Sequence, residues 1–144
     1  MILLDVDYFK AINDNFGHDA GDGVLEEIAL RMQKVVGSQG RICRFGGEEF
    51  AIVLFDAHAA QLFQLAEAVR QAIGKEKFWL QGNTVTVTVS LGLAQGRAGE
   101  ERDWHSVINQ LVSAADKNLY LSKRNGRNQT SPAFRTLTLA GEVA

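Results

Sequence analysis

Cysteine and proline are scarce in this chain of 144 residues, which contains only Cys43 and Pro132. One cysteine excludes an intramolecular disulfide and favours a reducing compartment. We therefore expect a cytoplasmic segment, although the parent protein could be anchored in a membrane. Cys43 follows Ile42 in a predicted strand, where it is expected to act as a small buried apolar side chain.

Long apolar runs and an excess of one charge are also missing. No run approaches the about 20 apolar residues of a membrane-spanning helix, and the start lacks the order of a signal peptide. The formal net charge is −2, so the chain has no global attraction for nucleic acid or for acidic membranes. We expect neither as a partner of this segment, and an anionic ligand must be held by local groups.

The chain is long enough for one domain with a single core. Hydrophobic periodicity and turn residues predict these elements in order: a strand at 1–4 ending at Asp5, a helix at 8–16, a glycine loop at 17–23, a helix at 24–36, two hairpin strands on either side of Gly46-Gly47, a helix capped by Asp56 and ended by Gly74, strands at 77–81 and 84–94, and a helix at 104–123. This order indicates an α+β fold with a central, mostly antiparallel sheet and flanking helices. Residues 130–144 are expected to form a C-terminal tail.

The segment RFGGEEF at 44–50 is central to the interpretation. Gly46 and Gly47 predict a hairpin turn, because glycine tolerates the positive φ of such turns. Glu48 and Glu49 follow directly, and two adjacent carboxylates repel each other unless a cation compensates them. Mg²⁺ prefers oxygen ligands and is often held by one or two carboxylates together with substrate phosphates. The alternative is an ordinary exposed turn whose glutamates face water.

Asp5 ends the first predicted strand. If the hairpin lies beside that strand end, Asp5, Glu48 and Glu49 meet at one point, which favours a metal site of the kind used in nucleotidyl transfer. Phe9 and Lys10 follow, at the start of a helix whose N–H groups could hold triphosphate oxygens.

Two further groups have alternatives that stay open on the residues alone. The basic run at 123–128 could bind phosphate, or it could only complement the dipole of its own helix. Asn13 and Asp22 could pair with the edge of guanine, or they could be turn and cap residues. His18 is more suited to bracing the glycine loop than to acting as a general base.

Five motifs in this order resemble the GGDEF domain of diguanylate cyclases. They are DVDYFKAIND at 5–14, GHDAGD at 17–22, RFGGEEF at 44–50, SLG at 90–92, and the segment from AD at 115–116 through KRNGRN at 123–128. The resemblance covers residues 1–129. It implies a sheet like that of nucleotidyl cyclases and polymerase palms, and the conversion of two GTP into cyclic di-GMP and two pyrophosphates.

The resemblance also implies roles for individual residues. Asp5, the Val6 carbonyl and Glu48 would hold Mg²⁺, or Mn²⁺ in its place. Glu49 would assist deprotonation of the attacking 3′-hydroxyl or add a metal ligand. The expected substrate contacts are the phosphate ligands Lys10, Lys123, Arg127 and the Phe9 backbone, and the guanine-pocket residues Asn13, Asp22 and His18.

Three expectations concern regulation and assembly. Family members inhibited by their product carry Arg-x-x-Asp before the hairpin, where this chain has GSQG at 37–40, so product inhibition through that site should be absent. The usual Asp-x-Leu-Thr turn and lead-in helix are missing before Met1, which suggests truncation and an absent upstream sensory domain. Turnover should need a homodimer, since each domain would hold one GTP. The alternative is a weak or inactive module that binds GTP or cyclic di-GMP and signals by protein contact.

Overall fold

The computed structural model describes residues 1–96 and 104–132. The elements within them are β1 Ile2–Val6, α1 Phe9–Phe16, α2 His18–Val36, β2 Gly40–Arg44, β3 Glu49–Leu54, α3 Ala59–Lys75, β4 Phe78–Leu80, β5 Asn83–Val85, β6 Val89–Leu93, α4 Trp104–Arg124 and β7 Thr130–Ser131. A single 3₁₀ turn, Gly37–Gln39, joins α2 to β2. None of the helices in these ranges is long and apolar enough to cross a membrane.

Five strands form the main sheet in the order β2-β3-β1-β6-β7, and β4 and β5 form a separate two-stranded sheet. The pairs β2–β3, β3–β1 and β1–β6 are antiparallel, and only β6–β7 is parallel. The predicted α+β class with a mostly antiparallel sheet is therefore confirmed. Strand β1 lies at the centre, so its C-terminal end is bordered by β3 on one side and β6 on the other.

The two faces of the sheet are covered unequally. Ile2, Leu4 and Val6 of β1 belong to the main core, which α1, α2 and α3 cover. Leu3 points to the opposite face, into a smaller cluster with Ala115 and Leu119 of α4. Because strand side chains alternate between faces, Asp5 shares the α4 face with Leu3. The alternation therefore directs the predicted metal ligand toward the helix that carries Lys123.

The glycine loop predicted at 17–23 is wrong, because α2 begins at His18. Only Gly17, with φ 84°, separates α1 from α2. Gly21 is buried in α2, and a side chain there would collide with Asn13 of α1. Close contact between the two helices thus outweighs the low helix propensity of glycine. Asp22 consequently lies on α2 and does not cap it.

The Gly46-Gly47 hairpin exists, but its predicted backbone conformation is wrong. Neither glycine has positive φ, and residues 45–48 form a four-residue connection between β2 and β3. Gly46 has a different role: a Cβ there would lie 2.7 Å from a carboxylate oxygen of Glu49. Glycine lets the Glu49 side chain lie against the backbone of the turn without having to shift.

Smaller differences follow from local packing and capping. The helix capped by Asp56 in the prediction has His58 at its N-cap, whose backbone N–H donates a 3.0 Å hydrogen bond to Gln61 Oε1, and it ends at Lys75. The β4–β5 hairpin turns at Gln81-Gly82, both with positive φ, one residue earlier than predicted.

The predicted strand at 84–94 is interrupted between β5 and β6. Cys43 is exposed and not buried. Thr130–Ser131 joins the sheet as β7, so the first two residues of the predicted tail belong to the fold. Pro132 is also described, and residues 133–144 of the predicted tail lie outside the described residues.

Candidate active site

The C-terminal end of β1 meets the GGEEF hairpin directly. Asp5 is the cross-strand partner of Glu49, and the Val6 amide donates a 3.2 Å hydrogen bond to the Glu48 carbonyl. Residues 5 and 49 share a face because they are directly opposite in an antiparallel pair. The strand register therefore brings the predicted acidic residues to one end of the sheet.

Lys123 supplies a cation at this point. Its Nζ lies 2.7 Å from Asp5 Oδ2, with the Asp5 side chain 10% exposed and the Lys123 side chain 33% exposed. Helix α4 approaches β6 so closely that a Cβ on Gly92 would collide with the backbone of Ala115 and Leu119. Lys123 lies one turn beyond Leu119 and hence on the same helix face. Close packing at Gly92 thus sets the distance over which Lys123 reaches Asp5.

Burial raises the pKa of Asp5, since the carboxyl is removed from water. The hydrogen bond and charge of Lys123 oppose this rise, whereas Glu48 and Glu49 add to it. The net pKa of Asp5 is above its ordinary value. The ionised carboxylate is therefore only partly compensated by Lys123, and this position favours additional positive charge.

No group of three or more His, Cys, Asp or Glu side chains in the described ranges forms a ready-made metal site. The available donors are the Asp5 and Glu48 carboxylates and the Val6 carbonyl, with Glu49 beside them. This set fits Mg²⁺, which typically takes one or two protein carboxylates and completes its shell with water and substrate phosphates. The ion pair between Asp5 and the Lys123 ammonium supports this fit, because it shows that the Asp5 carboxylate attracts positive charge.

A polar cavity of about 390 Å³ lies on the other side of the strand end. Its lining residues are Phe9, Lys10, Asn13, His18, Asp22, Leu25, Arg44, Gly47 and Glu48. The structure thus brings six of the predicted site residues together in one cavity. Glu48 connects it to the acidic strand end, whereas Asp5, Val6, Glu49, Lys123 and Arg127 do not line it.

Asn13 is incompletely paired in this cavity wall. Its Oδ1 is buried and has no hydrogen-bond partner within the described residues. An unpaired buried acceptor costs about 1–3 kcal/mol, so a donor from a ligand would be stabilising once the amide turns toward it. Asp22 is exposed on α2 and offers an acceptor in the same wall.

Two residues of the site had no role in the sequence interpretation. Arg44 lines the cavity, and its guanidinium donates to the carbonyls of Gly46 and Gly47 at 2.6–3.2 Å, which braces the hairpin. Tyr8 is 67% exposed, and the Arg127 guanidinium lies 4.8 Å from the centre of its ring. The available signal was position alone, since Tyr8 adjoins Phe9 and Arg44 begins the RFGGEEF segment.

Comparison with known proteins gives a consistent answer. The family model "Diguanylate cyclase, GGDEF domain" matches residues 1–129. "Probable diguanylate cyclase DgcF" of Escherichia coli O157:H7 is 44% identical over 91% of this chain and 28% of its own length. "Diguanylate cyclase A" of Treponema denticola is 35% identical over 97% of this chain and 36% of its own length. This chain thus spans about a third of these relatives.

Solved structures agree with this assignment. The "active GGEEF domain of a diguanylate cyclase from Vibrio cholerae" is 38% identical with a TM-score of 0.75, over 90% of this chain and 78% of that chain. The GGDEF domain of DgcB from Caulobacter crescentus, solved "in complex with c-di-GMP", is 32% identical with a TM-score of 0.78, over 90% and 74% respectively. With the sheet order, the hairpin and the family match in agreement, the chain belongs to the GGDEF domain family.

Proposed function

We propose that this domain condenses two molecules of GTP into cyclic di-GMP and releases two pyrophosphates. The observation that carries the proposal is the 2.7 Å ion pair between Lys123 and Asp5, at a strand end that adjoins both the GGEEF hairpin and a polar cavity. Relatives named diguanylate cyclase, at 35–44% identity, support the same reaction.

Each half-reaction forms one bond and breaks one bond. The 3′-oxygen of one GTP attacks the α-phosphorus of the other, the bond from that phosphorus to the bridging β-phosphate oxygen breaks, and pyrophosphate leaves. The proton of the 3′-hydroxyl must be removed, and Glu49 is the proposed assisting base or a further metal ligand. Repetition with the roles exchanged closes the ring.

The cavity formed by α1, α2 and the hairpin is the proposed guanine site. Asp22 would accept hydrogen bonds from the N1–H and exocyclic amine of guanine, and Asn13 would pair with the same edge. His18 would line the pocket. If the guanine base is held here, the phosphates of the same nucleotide can extend past Glu48 toward the end of β1.

Basic groups on both sides of the strand end would hold the phosphates. Lys10 lines the cavity, and the Phe9 backbone lies in the first turn of α1, where N–H groups favour anions. Lys123 lies on the α4 side, and Arg127 follows it beyond the helix end. Lys123 would exchange Asp5 for phosphate oxygens once a metal compensates the carboxylate.

Mg²⁺, or Mn²⁺ in its place, would be held by Asp5, the Val6 carbonyl and Glu48. When bound, such an ion would neutralise phosphate charge and promote ionisation of the attacking hydroxyl. The residues of the chain fix the ligand oxygens through the β1–β3 register and exclude water from Asp5 by burial.

Catalysis needs two domains face to face, because one domain offers one guanine cavity and one acidic strand end. We therefore propose a homodimer of half-sites. An upstream sensory domain in a longer, cytoplasmic or membrane-anchored parent would control how the two domains meet. Residues 1–129 would form the catalytic domain, followed by the tail.

A second candidate function is a module that binds GTP or cyclic di-GMP and signals through protein contact without turnover. The observation in its favour is that Asp5, Glu49 and Lys123 do not line the cavity, so a nucleotide could be held there without turnover. The catalytic proposal is preferred because Asp5, Lys10, Glu48 and Glu49 are all present.

The test is pyrophosphate release from GTP and Mg²⁺, with Glu48→Gln as the site variant and Glu26→Gln, an exposed carboxylate of α2, as its matched control. We expect release by the wild type and the control, and loss by Glu48→Gln or on chelation of the metal. GTP binding without release would support the binding module instead.

A further inference from the structure

Asp7 is a buried carboxylate that the proposed reaction does not use. It is 4% exposed, and it follows the end of β1. Its Oδ1 accepts a 2.7 Å hydrogen bond from Ser90 Oγ, and its Oδ2 accepts one of 2.7 Å from Thr88 Oγ1 and one of 3.0 Å from the Asn128 amide. Because protein donors occupy both oxygens, Asp7 is a structural acceptor and not a candidate metal ligand.

These bonds link segments that are far apart in sequence. Ser90 lies in β6 and Thr88 just before it. The bond from Ser90 to Oδ1 and the bond from Thr88 to Oδ2 therefore fix the carboxylate to the sheet. The remaining bond reaches Asn128, which is 121 positions along the chain. Asp7 thus fastens the turn after α4 to the centre of the sheet.

That turn needs support because its backbone is strained at Arg127. Arg127 and Asn128 both have positive φ, 63° and 45°, a conformation that asparagine tolerates but that is unfavourable for arginine. Arg70 of α3 supplies a second brace through a 2.9 Å hydrogen bond to Asn128 Oδ1. Arg70 is itself held by Glu67 at 2.9 Å.

The same turn carries Arg127, one cation of the proposed phosphate site, whereas Lys123 lies before it in the last turn of α4. The Arg127 guanidinium lies 4.8 Å from the centre of the Tyr8 ring. Tyr8 directly follows Asp7 and also has positive φ, 57°. Asp7 and Tyr8 therefore contact the basic turn from adjacent positions on the β1–α1 connection.

We infer that Asp7 is a positioning residue that holds the 125–128 turn against the end of β1, so that Arg127 is set for phosphate. The inference rests on the proposed function, since it is that function which gives Arg127 its ligand. Without the bond to Asn128 the turn can relax from its strained conformation, and Arg127 loses its fixed position. Recognition of the guanine base, on the other side of the strand end, does not depend on this turn.

Three substitutions separate positioning from charge. Asp7→Ala removes every acceptor. Asp7→Asn keeps one: its amide oxygen can accept from Asn128 and Thr88 while its NH₂ donates to Ser90, whose hydroxyl can also accept. Asp7→Ser is one bond shorter than Asp7→Asn and serves as a second loss variant should Asp7→Ala not fold, as judged by circular dichroism and thermal unfolding.

The measurement compares GTP with guanosine as ligands, by NMR titration of each folded variant. We expect Asp7→Ala, or Asp7→Ser, to weaken GTP binding by about tenfold while guanosine affinity changes by less than about twofold. Asp7→Asn should bind GTP within about threefold of the wild type. Equal weakening of both ligands, unchanged GTP affinity in the loss variants, or an Asp7→Asn as weak as Asp7→Ala would each overturn the inference.

Arg127→Ala and the wild type distinguish this result from failure of the proposed function. If the wild type binds no GTP, or Arg127→Ala binds it as well as the wild type does, the phosphate site itself is wrong and the inference falls with it. If Arg127→Ala weakens GTP binding and the Asp7 loss variants do not, only the positioning role is wrong.

Discussion

Lys123 Nζ lies 2.7 Å from Asp5 Oδ2, joining the last turn of α4 to the end of the central strand. The Asp5 side chain is largely shielded from water, whereas a third of the Lys123 side chain is exposed. Lys123 can therefore exchange its partner, whereas Asp5 is fixed by the sheet. We interpret the ammonium as the cation that balances Asp5 until metal and triphosphate enter.

Lys123→Ala should lower the rate of pyrophosphate release by roughly 10²-fold, the usual cost of removing one charged donor from a developing oxyanion. The matched control is Lys117→Ala, an exposed lysine on the same helix, which should react at the wild-type rate. A steady-state assay with GTP and Mg²⁺ measures both variants. Equal rates for Lys123→Ala and Lys117→Ala would rule out a role for Lys123 in the reaction.

Asp5→Asn should raise the unfolding midpoint at pH 7 while abolishing turnover. Burial raises the pKa of Asp5 in the folded state, so the folded protein binds this proton more tightly than the unfolded chain does. Stability is therefore lost as pH rises from the ordinary Asp value through the raised pKa. Asparagine cannot ionise and avoids this loss.

The check is thermal unfolding of the wild type and Asp5→Asn between pH 7 and pH 4, with the exposed Asp14→Asn as control. The advantage of Asp5→Asn should shrink toward the acidic end, where a growing fraction of Asp5 is protonated and neutral. An Asp5→Asn variant that is less stable than the wild type at pH 7 would show that the Lys123 pair outweighs burial.

Gly21→Ala should weaken GTP binding by about tenfold, because the new methyl displaces Asn13 from its place in the cavity wall. On the same helix, a Cβ on Gly23 would meet no atom of the described residues within 4 Å. Gly23→Ala should therefore keep the affinity for GTP and stabilise α2 by about 1 kcal/mol. Calorimetric titration with GTP and thermal unfolding measure the two effects, and loss of affinity in both variants would argue against a specific role for Asn13.

Product inhibition through residues 37–40 should be absent. Gly37 has φ 51°, and a Cβ on Gly40 would lie 2.8 Å from the Val53 carbonyl oxygen, so an aspartate fits poorly at position 40. A calorimetric titration with cyclic di-GMP should show no tight binding at this segment. Tight binding that disappears in the double variant Ser38→Ala, Gln39→Ala would contradict the prediction.

The fold could be predicted from the sequence where hydrophobic period and length agree. The mostly antiparallel sheet was predicted correctly on that basis, and the first strand and last helix were predicted to within two residues of their observed bounds, Ile2–Val6 and Trp104–Arg124. The start of α2 was not, because Gly21 and Gly23 suggest a loop until the contact of Gly21 with Asn13 is known. Tertiary contact, which a single sequence does not reveal, overrides propensity there.

The candidate site, too, could be predicted from the sequence only in part. Motif order gives a prediction of its residues, and the register places two of them, Asp5 and Glu49, opposite each other. The role of Asp7 could not be predicted, because its partner Asn128 is 121 positions away and the bond uses a backbone amide that has no sequence signature. The exposure of Cys43 likewise depends on what covers β2 in three dimensions.

The most direct test of the account is the formation of cyclic di-GMP from GTP and Mg²⁺ at increasing protein concentration, with the product identified by mass spectrometry. If two half-sites must meet, the rate per mole of protein rises with concentration until the dimer is saturated. A rate that is strictly proportional to protein down to nanomolar concentration would contradict the two-domain mechanism. Bound GTP with no cyclic di-GMP at any concentration would contradict the proposed activity.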